Sequence, residues 1–335
     1  MGKTYLRSFL ENIVSFVYEN FSRSNLMRVQ KAVLFWGLIS LLILSTLPAL
    51  AESGGIVLGD SADVFTVDAG ITVSNGVGSG VEAGGGNDQI TNNGVISSLV
   101  FGIDGGVGND SLTNNGEIRD GEVGLYGSRG DDTLTNNGVI IGVTNGIEGG
   151  VGNNTVINTG TINALVRSGI LNTGSVTNRP SGQIYGWSHG IEAGGNITNS
   201  GYTHGTLGHG ILGSNGRDTI VNTAEGIASG GSGVGINAWG GNDIIENYGL
   251  VEGDINGWLG NDRIIIYGGV VTGVISGGAD RNTLVFAATV SAQDLASLSQ
   301  RLADADPAIG SITINGVEYR WAYFSVIENK LVARR

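Results

Sequence analysis

Cysteine is absent from the 335 residues, so the chain can hold neither a disulfide nor a thiolate metal site, and thiol catalysis is excluded. Histidine occurs only 3 times, which leaves little for imidazole chemistry. Proline also occurs only 3 times, so the 60 glycines do not belong to a collagen-like repeat. Positive charge is scarce: 17 Lys and Arg face 30 Asp and Glu, a net charge of −13. Such a chain should repel nucleic acid and anionic lipid.

Long apolar runs are nearly missing, with one exception. Lys3, Arg7, Arg23, Arg28 and Lys31 precede AVLFWGLISLLILSTLPAL, and the small residues Ala49 and Ala51 come just before Glu52. This pattern predicts a secretory signal with a long basic flank over residues 1–51, cut between Ala51 and Glu52, and hence a secreted or outer-surface protein. The run also approaches the roughly 20 residues that span a bilayer, so an uncleaved anchor is the rival reading. Removing the 5 basic and 2 acidic residues of 1–51 takes the charge from −13 to −16.

What the chain has in excess is repetition. GGVGNDSLTNNGEI at Gly105–Ile118 has close relatives at GGGNDQITNNGVI, GSRGDDTLTNNGVI and GGVGNNTVINTGTI. Asp88, Asp110, Asp132 and Asn154 are 22 residues apart, as are Gly94, Gly116, Gly138 and Gly160. Three apolar positions recur in each period: Val81, Ile90 and Ile96, then Ile103, Leu112 and Ile118, then Leu125, Leu134 and Ile140. The segments are short, rich in β-branched residues and bounded by Gly and Asn, which favours strands over helix. The spacing predicts an all-β parallel β-helix of about ten coils with three strands each. The fifth coil, through Ile170 and Ile184, is expected to be looser. One coil buries too little apolar surface to fold alone, so coils must stack.

Asn92, Asn114, Asn136, Asn158, Asn199, Asn222 and Asn247 share one place in successive coils, which predicts an asparagine ladder. The glycine-rich pattern stops after Phe286. In SAQDLASLSQRLADADP, Ser291 and Asp294 form a helix N-cap pattern, and Leu295, Leu298 and Leu302 form a stripe. SITI, Asn315-Gly316 and VEYRWAYF follow as a hairpin, with Tyr319, Trp321, Tyr323 and Phe324 expected to close the last coil. The expected organisation is an N-terminal cap with the first strands at 52–79, repeats at 80–286 and a C-terminal helix and hairpin cap at 287–335.

GGVGNDSLT, Gly105–Thr113, resembles the nonapeptide of haemolysin-type (RTX) calcium-binding repeats. The longer coil, the TNNGxI half, the signal and the closing INGVEYRWAYF are together similar to the β-helical passenger domains of bacterial autotransporters. This second resemblance spans residues 52–335. It implies a right-handed parallel β-helix displayed outside the cell, in adhesion or matrix contact.

Several residues are candidates for function. Neighbouring GGxGND loops would bring carboxylates and glycine carbonyls within about 5 Å, which suits Ca²⁺. Asp88, Asp110 and Asp132, with a second group at Asp243 and Asp262, are the candidate metal ligands, and plain Asx turns are the rival account. Glu82, Asp104, Glu148 and Glu192 form an outward acidic row interrupted by Tyr126 and Leu171. No catalytic set converges, so a non-enzymatic adhesin or matrix-contact protein is expected. The alternative is a carbohydrate-active β-helix, a polysaccharide lyase or epimerase, or a glycan-binding protein. His189 and His209 should stack, with His204 nearby, and receive no role. Trp239 and Trp258 should stack on adjacent coils and could carry a sugar ring, with Trp187 on a nearby face. The expected partners are a glycan, a matrix component or a surface protein.

Overall fold

The computed structural model describes residues 50–334 apart from Thr173. The basic flank and almost all of the expected signal therefore lie outside the described residues.

Most strands of the first two faces alternate buried and outward residues. In Ser111–Asn114, Leu112 and Asn114 are buried while Ser111 and Thr113 are turned outward. Each coil contributes one such strand to each of three faces. The first face is a 12-stranded sheet running from Val64–Val67 to Val326–Asn329. The second face carries Val95–Ser98 and Glu117–Arg119, and the third carries Phe101–Asp104 and Val123–Tyr126. Pairing between coils is parallel and in register, with Leu112 opposite Leu134 and Asn114 opposite Asn136. Ile227–Asn237 and Leu250–Asn256 run unbroken round the corner between the second and third faces, which joins those faces into one 22-stranded sheet. The molecule is a parallel β-solenoid of about ten turns with a spacing of about 22 residues.

The core follows from the stacking. Ile103, Leu125, Ile147, Ile170 and Ile191 form one column, Leu112, Leu134 and Val156 a second, and Ile118, Ile140 and Ile162 a third, all fully buried. Glycine precedes the aliphatic residue of the third face for a steric reason. A Cβ at Gly124 would collide with Cγ2 of Ile140 and the carbonyl of Gly146. The narrow triangular section therefore favours glycine there from Gly80 to Gly235, whereas Asp254 and Val274 take the place in the coils of Ile255 and Ile275.

The fifth coil is not loose. Val176 takes the first-face position and is buried, pairing in register between Val156 and Ile197. What changes is the corner before it: six residues separate Ile170 from Val176, against nine between Ile147 and Val156. The same shortening recurs between Ile191 and Ile197. Two successive coils thus have a corner three residues shorter than that of their neighbours.

The sheets continue to both ends of the described residues. Leu50–Ser53 pairs with Ile71–Ser74, so the expected cut between Ala51 and Glu52 would fall within a paired strand. At the other end, helix α1 (Ala292–Ala303) is capped by Ser291, whose Oγ accepts from the Asp294 N–H, and it buries Leu298 and Leu302. Strands Ile309–Ile314 and Val317–Ala322 form the expected antiparallel hairpin, with Asn315 and Gly316 at positive φ in its turn. Val317–Ala322 also pairs parallel with Val274–Ser276, and Val326–Asn329 with Thr283–Phe286. The cap therefore extends two of the faces rather than lying across them. Tyr319, Trp321 and Phe324 are buried there, with the Tyr319 hydroxyl donating to the Gly269 carbonyl at 2.8 Å. Tyr323 does not join them: it is 69% exposed, because its positive φ turns it away from the coil.

Candidate functional site

Two polar columns run inside the solenoid, one at each end of the first-face strands. At the corner leading to the second face, Asn92 Nδ2 donates to Asn114 Oδ1 at 2.8 Å, Asn114 to Asn136 at 2.9 Å, and Asn136 to Asn158 at 2.9 Å. The chain continues through Asn178, Asn199 and Asn222 to Asn247. All eight are fully buried. The second amide hydrogen goes to turn carbonyls, as from Asn114 to Gly116 and Val139, both at 3.2 Å. Asn178 is the member that a search at a fixed 22-residue period passes over, since it follows Asn158 by 20 residues. Thr203, buried in an otherwise aliphatic column, is accommodated by donating to Asn199 Oδ1 at 3.0 Å.

The expected metal ligands form the other column, at the glycine-loop corner. Asp88, Asp110, Asp132, Asp243 and Asp262 are 1–2% exposed and point inward. Oδ1 of each accepts the backbone N–H of the matching residue one coil earlier. Asp88 donates to Asp110 at 2.8 Å, Asp110 to Asp132 at 2.8 Å, and Asp243 to Asp262 at 3.0 Å. Asp218, which was not singled out from the sequence, bridges Gly195 and Ser214 and donates its own N–H to Asp243. Oδ2 of Asp88, Asp110, Asp132, Asp243 and Asp262 is buried with no hydrogen-bond partner. Calcium takes about six to eight oxygens. The column leaves one uncommitted carboxylate oxygen per coil, and among the described residues no three His, Asp or Glu side chains gather as a metal shell would need.

Burial raises the affinity of Asp110, Asp132, Asp218, Asp243 and Asp262 for protons. It lifts Asp110 to about 6, assisted by the charges of Asp132 and Asp88 and opposed by the Asp88 N–H. Burial likewise lifts Asp132 to about 6, Asp243 to about 7 and Asp262 to about 6. A desolvated carboxylate with only one of its oxygens hydrogen-bonded holds its proton more tightly than one in water.

The outer residues of the same loops form a second, exposed ladder. Asn87 Oδ1 accepts from the Asn109 N–H at 2.8 Å, Asn109 from Asp131 at 2.9 Å, and Asp131 from Asn153 at 2.7 Å. Coil-to-coil bonds from side-chain oxygens to backbone N–H groups, rather than local Asx turns, engage both halves of the GGxGND pattern.

The outward row on the third face has the expected order. Glu82, Asp104, Tyr126, Glu148, Leu171, Glu192 and Leu212 lie in successive register. These carboxylates are strung along the axis, one per coil at most. His189 and His209 stack at 5.1 Å, and the His209 N–H donates to His189 Nδ1 at 3.0 Å, which fixes that nitrogen as an acceptor. Burial lowers the proton affinity of both rings, and of His204. Trp239 and Trp258 stack at 5.7 Å with an interplanar angle of 2° and remain 41% and 44% exposed. Both have positive φ, 75° and 74°, at a loop position that glycine fills at Gly106 and Gly150. A tryptophan held in this conformation strains the backbone by about 1 kcal/mol or more. Trp187 is on a different corner, between the second and third faces, and does not join the pair.

No family model, curated protein or solved structure matches the chain.

Proposed function

We propose that the protein is an exported, non-enzymatic β-solenoid of the adhesin or matrix-contact type, whose outer rows meet a glycan, a matrix component or a surface protein. The observation that carries this reading is the register. Outward side chains repeat at the strand spacing, about 4.8 Å, over about ten turns. They offer an extended surface suited to many weak contacts with a large partner. Acid–base catalysis needs groups gathered around one reacting atom, and the outward acids are instead spread along the axis. Export rests on the basic flank, the apolar run and the small residues before Glu52.

The test is to immobilise the protein and present a panel of cells, matrix components, polyuronates and neutral glycans. Retention without turnover supports the reading. Depolymerisation or epimerisation of a polysaccharide overturns it in favour of a carbohydrate-active β-helix. Calcium stabilisation is a separable part of the proposal, with the buried Oδ2 atoms of the aspartate column as the atoms a cation would reach. Titration with calcium alone tests it: no heat and no shift in melting temperature would remove calcium and leave the binding reading in place.

A further inference from the structure

The two shortened corners break the ridge of loops. Where they recede, a cleft of about 630 Å³ opens between the coil of Leu171 and the loop Gly213–Asp218. Leu171, Glu192, Leu212, Arg217 and Trp239 are among the residues that line it. We infer that this cleft is a subsite for a neutral hexopyranose unit of a glycan, an assignment that rests on the contact role proposed above.

Three observations converge. First, Trp239 stacks on Trp258 through one ring face, which leaves the other to the cleft. An exposed indole is a platform for the C–H face of a sugar. Second, the ring is held there against backbone preference: Trp239 has φ 75°, secured by its N–H donating to Asn237 Oδ1 at 3.0 Å. Strain of this kind concentrates at functional positions. Third, the polar groups suit vicinal hydroxyls. Glu192 is oriented by Ser168 Oγ donating to its Oε2 at 2.7 Å, so Oε1 remains to accept from a ligand. Arg217, which also lines the cleft, supplies donors. The carboxylate of Glu192, in a chain of charge −13, disfavours an acidic sugar, which selects the neutral class.

Isothermal calorimetry with cellohexaose, mannohexaose and maltohexaose, and with polygalacturonate as the charged comparator, tests the assignment. Binding of at least one neutral hexasaccharide is expected. Trp239→Gly, which removes the ring and suits the local φ, should weaken it at least about tenfold. Glu192→Gln and Arg217→Ala should weaken it several-fold, while Trp187→Gly at the other corner leaves it unchanged. The inference is overturned if no neutral hexasaccharide binds, if polygalacturonate alone binds, or if Trp239→Gly binds as tightly as wild type with an unaltered melt. Matrix or cell retention without any hexasaccharide binding would remove the cleft and leave the broader role. Shortened hexasaccharides would remove the non-enzymatic reading while the cleft stands.

Discussion

The asparagine column and the aspartate column differ by one atom per residue, and that atom separates a structural device from a titratable one. Both run inside the solenoid, both are buried, and both cross from coil to coil at 2.7–3.0 Å. An amide is donor and acceptor together, so each asparagine accepts from one neighbour and donates to the next while its second hydrogen reaches a turn carbonyl. A carboxylate only accepts. Each aspartate except Asp218 caps one N–H and leaves its other oxygen unpartnered. The asparagine column is thus satisfied at every pH, whereas the aspartate column is satisfied best when protonated.

The sharpest way to break this contrast is Asn136→Leu. It removes an acceptor for Asn114 and a donor for Asn158 at once. The expected loss is about 2 to 3 kcal/mol, independent of pH, measured by denaturant unfolding. Unchanged stability would refute the buried ladder. Asp132→Asn should move stability the other way. The acceptor for the Asp110 N–H is kept and a buried charge is removed, for a gain of about 1 to 2 kcal/mol at pH 8 that disappears by pH 4. A precedent exists within the chain: Asn282 holds the equivalent place, accepts from Asp262 at 2.7 Å and donates to the Ala279 carbonyl at 2.7 Å. The smallest effect belongs to the outer ladder, where Asn109→Ala should cost about 0.5 kcal/mol because water can replace its bond.

Much of the fold was legible because a parallel stack repeats its constraints at a fixed interval. Leu112, Leu134 and Val156 share one register, and any one of them predicts the others. The stacking of Trp239 on Trp258 and of His189 on His209 followed from the same counting. Counting failed where the interval changed. Val176 and Asn178 were passed over because the corner before them is three residues short, and the cleft that this shortening opens carries no motif of its own. The candidate metal residues were found at their correct corner, but their inward direction was not legible. GGxGND reads alike whether the aspartate faces outward to a cation or inward to the next coil's backbone. Tyr323 was misplaced because alternation in the hairpin ends at Ala322, where the backbone turns to positive φ.

The most direct test of the contrast between the two columns is the thermal melt of the wild-type protein from pH 4 to pH 8 in excess chelator. Asp110, Asp132 and Asp262 titrate near 6 and Asp243 near 7 in the folded chain, above the ordinary aspartate value of 3.8. Between those limits the folded chain binds more protons than the unfolded one. Their contribution to stability is therefore complete at pH 4 and is lost as the pH rises through 6 and 7. The melting temperature should fall steadily across that window, and fall less in Asp132→Asn. A flat or rising profile in wild type, identical in the variant, would show that the aspartate column is already fully satisfied as carboxylate and would contradict the account.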